Sequence, residues 1–254
     1  MLFDTHAHLD DRAFDTDREA LIAALPEAGI GLLVNHGCSL LSSKAASALA
    51  ERYPFIYAAV GSHPDAADEV TENLLDAYRQ LVRENPKVVA IGEIGLDYHW
   101  DPDGKERQMR LFDAQLSMAE ELSLPVIVHD RDAHGDAFDV VRAHPHVRGV
   151  YHSFSGSAEM ARQLSRMGWY ISFSGTISYK NAAKVREAAA VVPHARLLIE
   201  TDAPYLAPVP HRGKINYSGY VPCTARALAN AIGLGEEETV RLTTQNAKNL
   251  FGIK

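Results

Sequence analysis

Cysteine is nearly missing from this chain of 254 residues, which carries only Cys38 and Cys223. No disulfide framework can be built from two thiols so far apart, and no Cys-x-x-Cys pair offers a thiolate clip for a structural zinc. A basic region followed by an apolar one is missing from the opening Met1-Leu2-Phe3-Asp4-Thr5-His6, and no stretch approaches the roughly 18 apolar residues of a membrane span. A soluble, cytoplasmic protein with no membrane partner is therefore expected, and nothing in the chain marks an obligate protein partner. Basic residues are in short supply too: 25 Lys and Arg stand against 33 Asp and Glu, for a formal net charge of -8. That balance excludes a surface-wide phosphate footprint and confines any nucleic-acid contact to a local site.

What is present is a repeating alternation. Short apolar, β-rich runs appear at Leu2 to His8, Gly31 to His36, Ile56 to His63, Val88 to Glu93, Pro125 to His129, Gly149 to His152, Trp169 to Ser174 and Leu197 to Asp202. Amphipathic stretches with helical spacing lie between them, at Arg18 to Leu25, Ser42 to Arg52, Leu74 to Glu84, Gln108 to Leu122 and Ala158 to Met167. Strands alternating with helices pair in parallel through crossovers. The fold predicted is an α/β single domain over residues 1–254, a (β/α)8 TIM barrel. An open doubly wound sheet is the competing arrangement, but it often carries a Gly-rich turn after its first strand, where this chain reads His6-Ala7-His8-Leu9-Asp10. After the eighth run, Pro204 to Pro222 is too long for a neutral connection and is read as a lid or substrate-contact loop. Helical patterns from Thr224 to Ala231 and Glu236 to Leu250 then complete the outer wall.

Polar residues gather where these runs end, on the face where barrel enzymes build active sites. They are His6 and His8, His63, Glu93, His129, His152 and Asp202. Because strand side chains alternate, His6 and His8 point to one side. Imidazoles and carboxylates suit zinc, manganese or magnesium, and four imidazoles with two carboxylates exceed what one catalytic ion needs. Two divalent metal ions are expected: His6, His8 and Asp202 on the first, His129 and His152 on the second, with Glu93 bridging. The plain alternatives are a salt-bridged Glu93 and an N-capping Asp202. A lone strand-end histidine is ordinarily a hydrogen-bonded structural residue, and His36, His99, His134, His144, His146, His194 and His211 are read that way.

The segments Phe3-Asp4-Thr5-His6-Ala7-His8-Leu9-Asp10, Gly61-Ser62-His63-Pro64, Gly92-Glu93-Ile94-Gly95-Leu96-Asp97-Tyr98, His129-Asp130-Arg131, His152-Ser153-Phe154-Ser155-Gly156 and Glu200-Thr201-Asp202-Ala203-Pro204-Tyr205-Leu206 together resemble the TatD family of metal-dependent deoxyribonucleases, amidohydrolase-like (β/α)8 barrels. The resemblance runs the length of the chain. It implies a cytoplasmic divalent-metal hydrolase with His6, His8, Glu93, His129, His152 and Asp202 as ligands. The chain departs from the family pattern at Asp65, where a second His often follows His-Pro, at Ser153, often Cys, and at Asn216-Tyr217-Ser218, where Asn-Glu-Pro is common.

The activity expected is hydrolysis of DNA, as single strands or strand ends, by 3'-5' exonuclease-like trimming through a metal-activated water. Asp202 is the candidate to orient or deprotonate that water, with Glu93 also catalytic. Glu200, one pleat deeper on Asp202's side, is the candidate to hold a ligand imidazole. His63, Arg131, Arg212 and Lys214 are candidate phosphate contacts, while Tyr98, Trp100 and Tyr205 lie in loops where bases stack. The alternatives are an esterase or amidase acting on a small molecule or an aminoacyl-tRNA ester, and a barrel that binds without catalysis.

Overall fold

Wherever an apolar run closes on turn residues, a strand forms: β1 (Leu2–Ala7), β2 (Ile30–His36), β3 (Ile56–Val60), β4 (Val88–Asp97), β5 (Val126–Arg131), β6 (Gly149–Tyr151), β7 (Tyr170–Phe173) and β8 (Leu197–Ile199). The computed structural model describes residues 1–69 and 71–254. All eight strands lie in one sheet in chain order, and a helix fills every crossover: α1 (Arg18–Ala24), α2 (Leu40–Arg52), α3 (Glu72–Glu84), α4 (Lys105–Leu122), α5 (His134–Ala143), α6 (Ala158–Arg166) and α7 (Ala183–Val191). Two more, α8 (Val221–Ile232) and α9 (Glu236–Phe251), follow β8. A parallel bridge between Ala7 and Ala203 joins the segment after β8 to the end of β1. This is the strand order of a (β/α)8 barrel, as expected.

One strand limit differs in a way that matters. β4 does not stop at Glu93 but runs on to Asp97 and is buried throughout. The apolar pattern is broken there by Gly92, Glu93 and Gly95, which hides the continuation. Gly95 is required: at φ 144° a Cβ would fall 2.0 Å from the His129 carbonyl oxygen on β5. Conversely, His63, His152 and Asp202 lie just past the ends of β3, β6 and β8 rather than within them.

α2 and α3 begin two residues ahead of their apolar periodicity, each behind a side-chain cap. Ser39 Oγ accepts from Ser42 N at 3.3 Å ahead of α2, and Thr71 Oγ1 accepts from Leu74 N at 3.2 Å ahead of α3, each satisfying a donor orphaned at a helix N-terminus. α5 and α7 start after Ala133 and Ala182 with no side-chain cap, so the sequence signal for both is weak. Among the described residues no helix is long and apolar enough to cross a membrane.

The chain divides into two units, residues 1–35 with 152–254 and residues 36–151. In the first, β1 pairs with β2 and β7 with β8. Its buried core includes Phe3, Leu33, Trp169, Leu228 and Phe251, with the Phe3 and Phe251 rings 6.0 Å apart. A buried carboxylate fastens β1 to the segment after β8: Asp4 Oδ1 accepts from Thr201 N at 2.9 Å and Asp4 Oδ2 from Thr201 Oγ1 at 2.6 Å. Burial pushes the Asp4 carboxyl up to about 7 even against these bonds. The backbone continues the seam, with Asp202 N donating to His6 O at 2.9 Å and His8 N to Ala203 O at 2.8 Å.

In the second unit β3, β4, β5 and β6 pair in parallel over a core that includes Ile91, Phe112, Leu116 and Val128. Here α4 takes the fastening role. Gln108 and Gln115 lie seven positions apart and so share a helix face, and both are fully buried. Gln115 accepts from Ser62 N at 2.7 Å and donates to Ser62 O at 2.9 Å, fixing the chain just before His63. Gln108 accepts from Asp97 N at 2.8 Å and donates to Asp97 O at 3.0 Å, fixing the end of β4.

Candidate metal centre

In the first unit the end of β1, the segment leading into α6 and the segment after β8 supply the donors. His6 Nε2 and His8 Nε2 face each other at 3.1 Å, and Asp202 Oδ1 lies 3.8 Å from the first and 3.6 Å from the second. Ligands at about 2.0 to 2.1 Å from one cation stand roughly 2.9 to 3.4 Å apart in octahedral or tetrahedral arrangement, so the imidazole pair already has the spacing of atoms sharing an ion. Two neutral lone pairs so placed repel unless a proton or cation lies between them, and the Asp202 carboxylate adds the negative charge that a divalent ion favours. Asp202 itself has φ 59°, the left-handed region, held there by its seam to His6.

His152 joins this set. Its ring stacks on His6 with centroids 4.0 Å apart, and His6, His152 and Asp202 each offer a ligand atom within 4.8 Å of the others. Glu200 is fully buried. Its Oε1 lies 3.1 Å from His152 Nδ1 and accepts from Ser153 N at 2.8 Å, the position from which a carboxylate orients a ligand imidazole. Glu200 Oε2 is buried and has no hydrogen-bond partner among the described residues.

The second unit is built differently. His129, on β5, is gripped by two carboxylates: Nδ1 lies 2.7 Å from Glu93 Oε1 and Nε2 lies 3.0 Å from Asp97 Oδ2. Asp97 is buried, which alone would raise its pKa, yet the His129 bond and the backbone N–H groups of Trp100 and His99 hold it down at about 2. The His63 ring meets His129 edge-on at 4.5 Å, and His63, Asp97 and His129 form a second group with ligand atoms mutually within 4.8 Å. His63 Nδ1 pairs with the exposed Asp65 Oδ1 at 2.9 Å, and that bond, ahead of burial, lowers the Asp65 pKa. Cys38 Sγ lies 4.0 Å from Glu93 Oε2.

The chain is similar to known proteins along its length. The sequence pattern of the family described as TatD related DNase matches residues 3–252. The chain is 43% identical over 255 residues to the uncharacterized metal-dependent hydrolase YabD of Bacillus subtilis, covering 100% of both. The chain belongs to the TatD family.

Another relative, the 3'-5' ssDNA/RNA exonuclease TatD of Pantoea vagans, is 34% identical over 260 residues, covering 99% of this chain and 100% of that one. The crystal structure of the TatD homologue YjjV from Escherichia coli superposes with a TM-score of 0.93 at 34% identity, covering 100% of this chain and 98% of that one. The relatives so named place the chain in a family of metal-dependent hydrolases.

Of the positions departing from the TatD pattern, Ser153 Oγ bonds Ser174 Oγ at 2.8 Å; Asn216, which keeps the pattern's Asn, donates from Nδ2 to Thr201 O at 2.8 Å and to Tyr205 O at 2.6 Å. Asn216 thus ties the long loop to the strand end that carries Asp202. Tyr205 is exposed, with its ring 6.2 Å from His8 and its hydroxyl donating to Asp11 Oδ2 at 3.0 Å. Arg212 lies over the Tyr179 ring at 4.2 Å, Lys214 is exposed, and Arg131 lies over the Trp100 ring at 5.4 Å. Four of the histidines read as structural have ordinary partners: His99 with Asp132 at 3.2 Å, His134 with Asp130 at 2.8 Å, His144 with Asp113 at 2.9 Å, and His211 stacked on Tyr220 at 3.8 Å.

Sequence reasoning passed over Asp97 and the buried Gln108 behind it. Their signal was present in part: Glu93, Gly95 and Asp97 are spaced two apart, which on a continuing strand puts both carboxylates on one face. Gln108 carries no such signal, because its contact with Asp97 spans the turn from β4 into α4.

Proposed function

We propose that this TatD-family chain is a divalent-metal deoxyribonuclease that trims single-stranded DNA or strand ends in the 3'-5' direction. The observation that carries the reading is the facing of His6 Nε2 and His8 Nε2 at 3.1 Å beside Asp202 Oδ1. The family description and the Pantoea vagans relative's name support the choice of bond and substrate.

The first unit's His6, His8, His152 and Asp202, and the second unit's Glu93 and His129, are the residues proposed to hold two ions, with zinc, manganese and magnesium all compatible with the donors. When bound, such ions supply an acidified water at neutral pH and stabilise charge on phosphoryl oxygens. Asp202 takes the proton from the attacking water as general base. Glu200 holds His152 by its Nδ1, and Glu93, whose Oε1 faces His129 Nδ1 at 2.7 Å, would be a ligand to such an ion. His63 and Arg131 in the second unit, and Arg212 and Lys214 in the first, bind phosphate. With a net charge of -8 the enzyme grips few phosphates, which suits trimming of ends better than tracking along a duplex.

The test is release of nucleotides from labelled single-stranded DNA with Mg2+ or Mn2+. Release that a chelator abolishes, and that Asp202→Ala and Glu93→Ala abolish, is the expected result. No release, undiminished release by those variants, or a clear preference for small esters over DNA overturns the reading.

A further inference from the structure

Three aromatic side chains lie in loops suited to base stacking, and the structure separates them. Tyr98 is half-buried, with its hydroxyl bonded to Asp136 Oδ2 at 2.8 Å and Lys105 Nζ over its ring at 4.3 Å. Tyr205 is tethered through its hydroxyl to Asp11 and turned toward His8. Trp100 is different. It is 73% exposed, an unusual position for the largest apolar side chain in a loop with ordered polar contacts.

That exposed ring is held in place. The backbone N–H groups of His99 and Trp100 both donate to Asp97 Oδ1 at 3.0 Å, while Asp97 Oδ2 meets His129 Nε2 at 3.0 Å. One buried carboxylate thus fixes the loop bearing Trp100 and the ring of a proposed metal ligand. His99, paired with Asp132 at 3.2 Å, sets its ring perpendicular to the indole at 5.0 Å. Arg131, two residues beyond His129 on the same face of β5, places its guanidinium 5.4 Å from the indole centre. A fixed, exposed indole with a guanidinium over one face leaves its other face for a base, with a cation close by for the adjoining phosphate.

We propose that Trp100 and Arg131 form a nucleotide subsite in which an unpaired base stacks on the indole and the adjoining phosphate meets the guanidinium. This rests on the nuclease reading and narrows it: a base within a duplex is already stacked on its neighbours, so the subsite selects single strands or frayed ends. Stacking accepts any base, so no strong sequence preference is expected.

The two tryptophans make the test direct, since Trp169 is 2% exposed and Trp100 73%, so a ligand on the surface quenches Trp100. Metal-loaded protein is titrated with a phosphorothioate-linked tetrathymidylate, which resists hydrolysis, and with an abasic chain of equal phosphate number. The expected result is saturable quenching by the thymidylate and weak binding of the abasic chain. Trp100→Ala should weaken thymidylate binding by about 5-fold to 100-fold, read by anisotropy of a labelled oligomer, and Trp100→Phe should recover most of that loss. Unchanged affinity in Trp100→Ala, equal binding of the abasic chain, or no quenching overturns the subsite. Because binding is read without turnover, failure of the nuclease reading shows separately, as intact natural DNA.

Discussion

The two units hold their histidines by opposite means. In the first, the imidazoles of His6 and His8 face each other and their placement comes from backbone: the seam between β1 and the segment after β8, fastened by Asp4 and Thr201. In the second, His129 is held through side chains, with a carboxylate on each ring nitrogen and Gln108 behind one of them. Two imidazole nitrogens facing each other at 3.1 Å need a proton or a cation between them, whereas His129 has a carboxylate at each ring nitrogen. In the function proposed above, the first arrangement would grip an ion directly, and in the second Asp97 would fix the ring so that Nδ1 faces Glu93.

The largest effect expected from this contrast is on turnover. Asp202 is the carboxylate beside the facing imidazoles, and its removal in Asp202→Ala should lower nucleotide release by about 100-fold to 10,000-fold, the range for a positioned general base. Initial rates on single-stranded DNA at saturating metal check it. A fall of less than tenfold would mean that the first unit is not where water is activated.

Next comes the backbone seam. Asp4→Ala strands the Thr201 N–H and hydroxyl in a buried site, and orphaned groups of this kind cost about 1 to 3 kcal/mol each. Part of that loss is offset because burial had already pushed the Asp4 carboxyl up to about 7, making its charged form costly. A net destabilisation of about 2 to 4 kcal/mol should appear as a lower urea midpoint in metal-free protein. Metal binding should fall with it, since His6 and Asp202 are held by the same seam.

For the second unit both stability and metal affinity should fall, because Asp97, held down at about 2, stabilises the fold in its charged form. Asp97→Asn keeps the shape and the loop contacts but weakens the acceptor on His129 Nε2, and loss of such a partner ordinarily costs about 10-fold to 100-fold in metal affinity. Calorimetric titration with Zn2+ or Mn2+, set beside a urea melt of the metal-free variant, separates the two quantities. Glu200→Gln provides the matched control in the first unit, where Glu200 holds His152 in the same way.

How much of this could be read from residues alone follows from the same contrast. The strands and their order were legible because each apolar run ends in a polar residue, and His6 with His8 was legible because a period of two puts them on one face. Glu200 was legible for the same reason, two residues from Asp202. Asp97 was not, because Gly92, Glu93 and Gly95 break the apolar run before the strand ends. The buried glutamines of α4 were not, because a polar residue on an amphipathic helix reads as solvent-facing until the partner it satisfies is known.

The smallest effect expected lies on the other face of β5, where Asp130 follows His129. Asp130 Oδ2 is 2.8 Å from His134 Nδ1, and this hydrogen bond, opposed by burial, raises the His134 pKa. A histidine whose folded-state pKa lies above its unfolded value binds its proton more tightly when folded. Its contribution is complete below the unfolded value of about 6.5 and is lost as pH rises through the folded-state value. The His134 side chain is 39% exposed, so solvent screening should keep the contribution under about 1 kcal/mol. Urea midpoints of the wild type and His134→Gln should therefore differ more at about pH 5.5 than at about pH 8.5. A gap that grows toward high pH would mean that Asp130 is held by something other than His134. The pairing of imidazole with carboxylate in the second unit would then rest on His63, His99, His129 and His144.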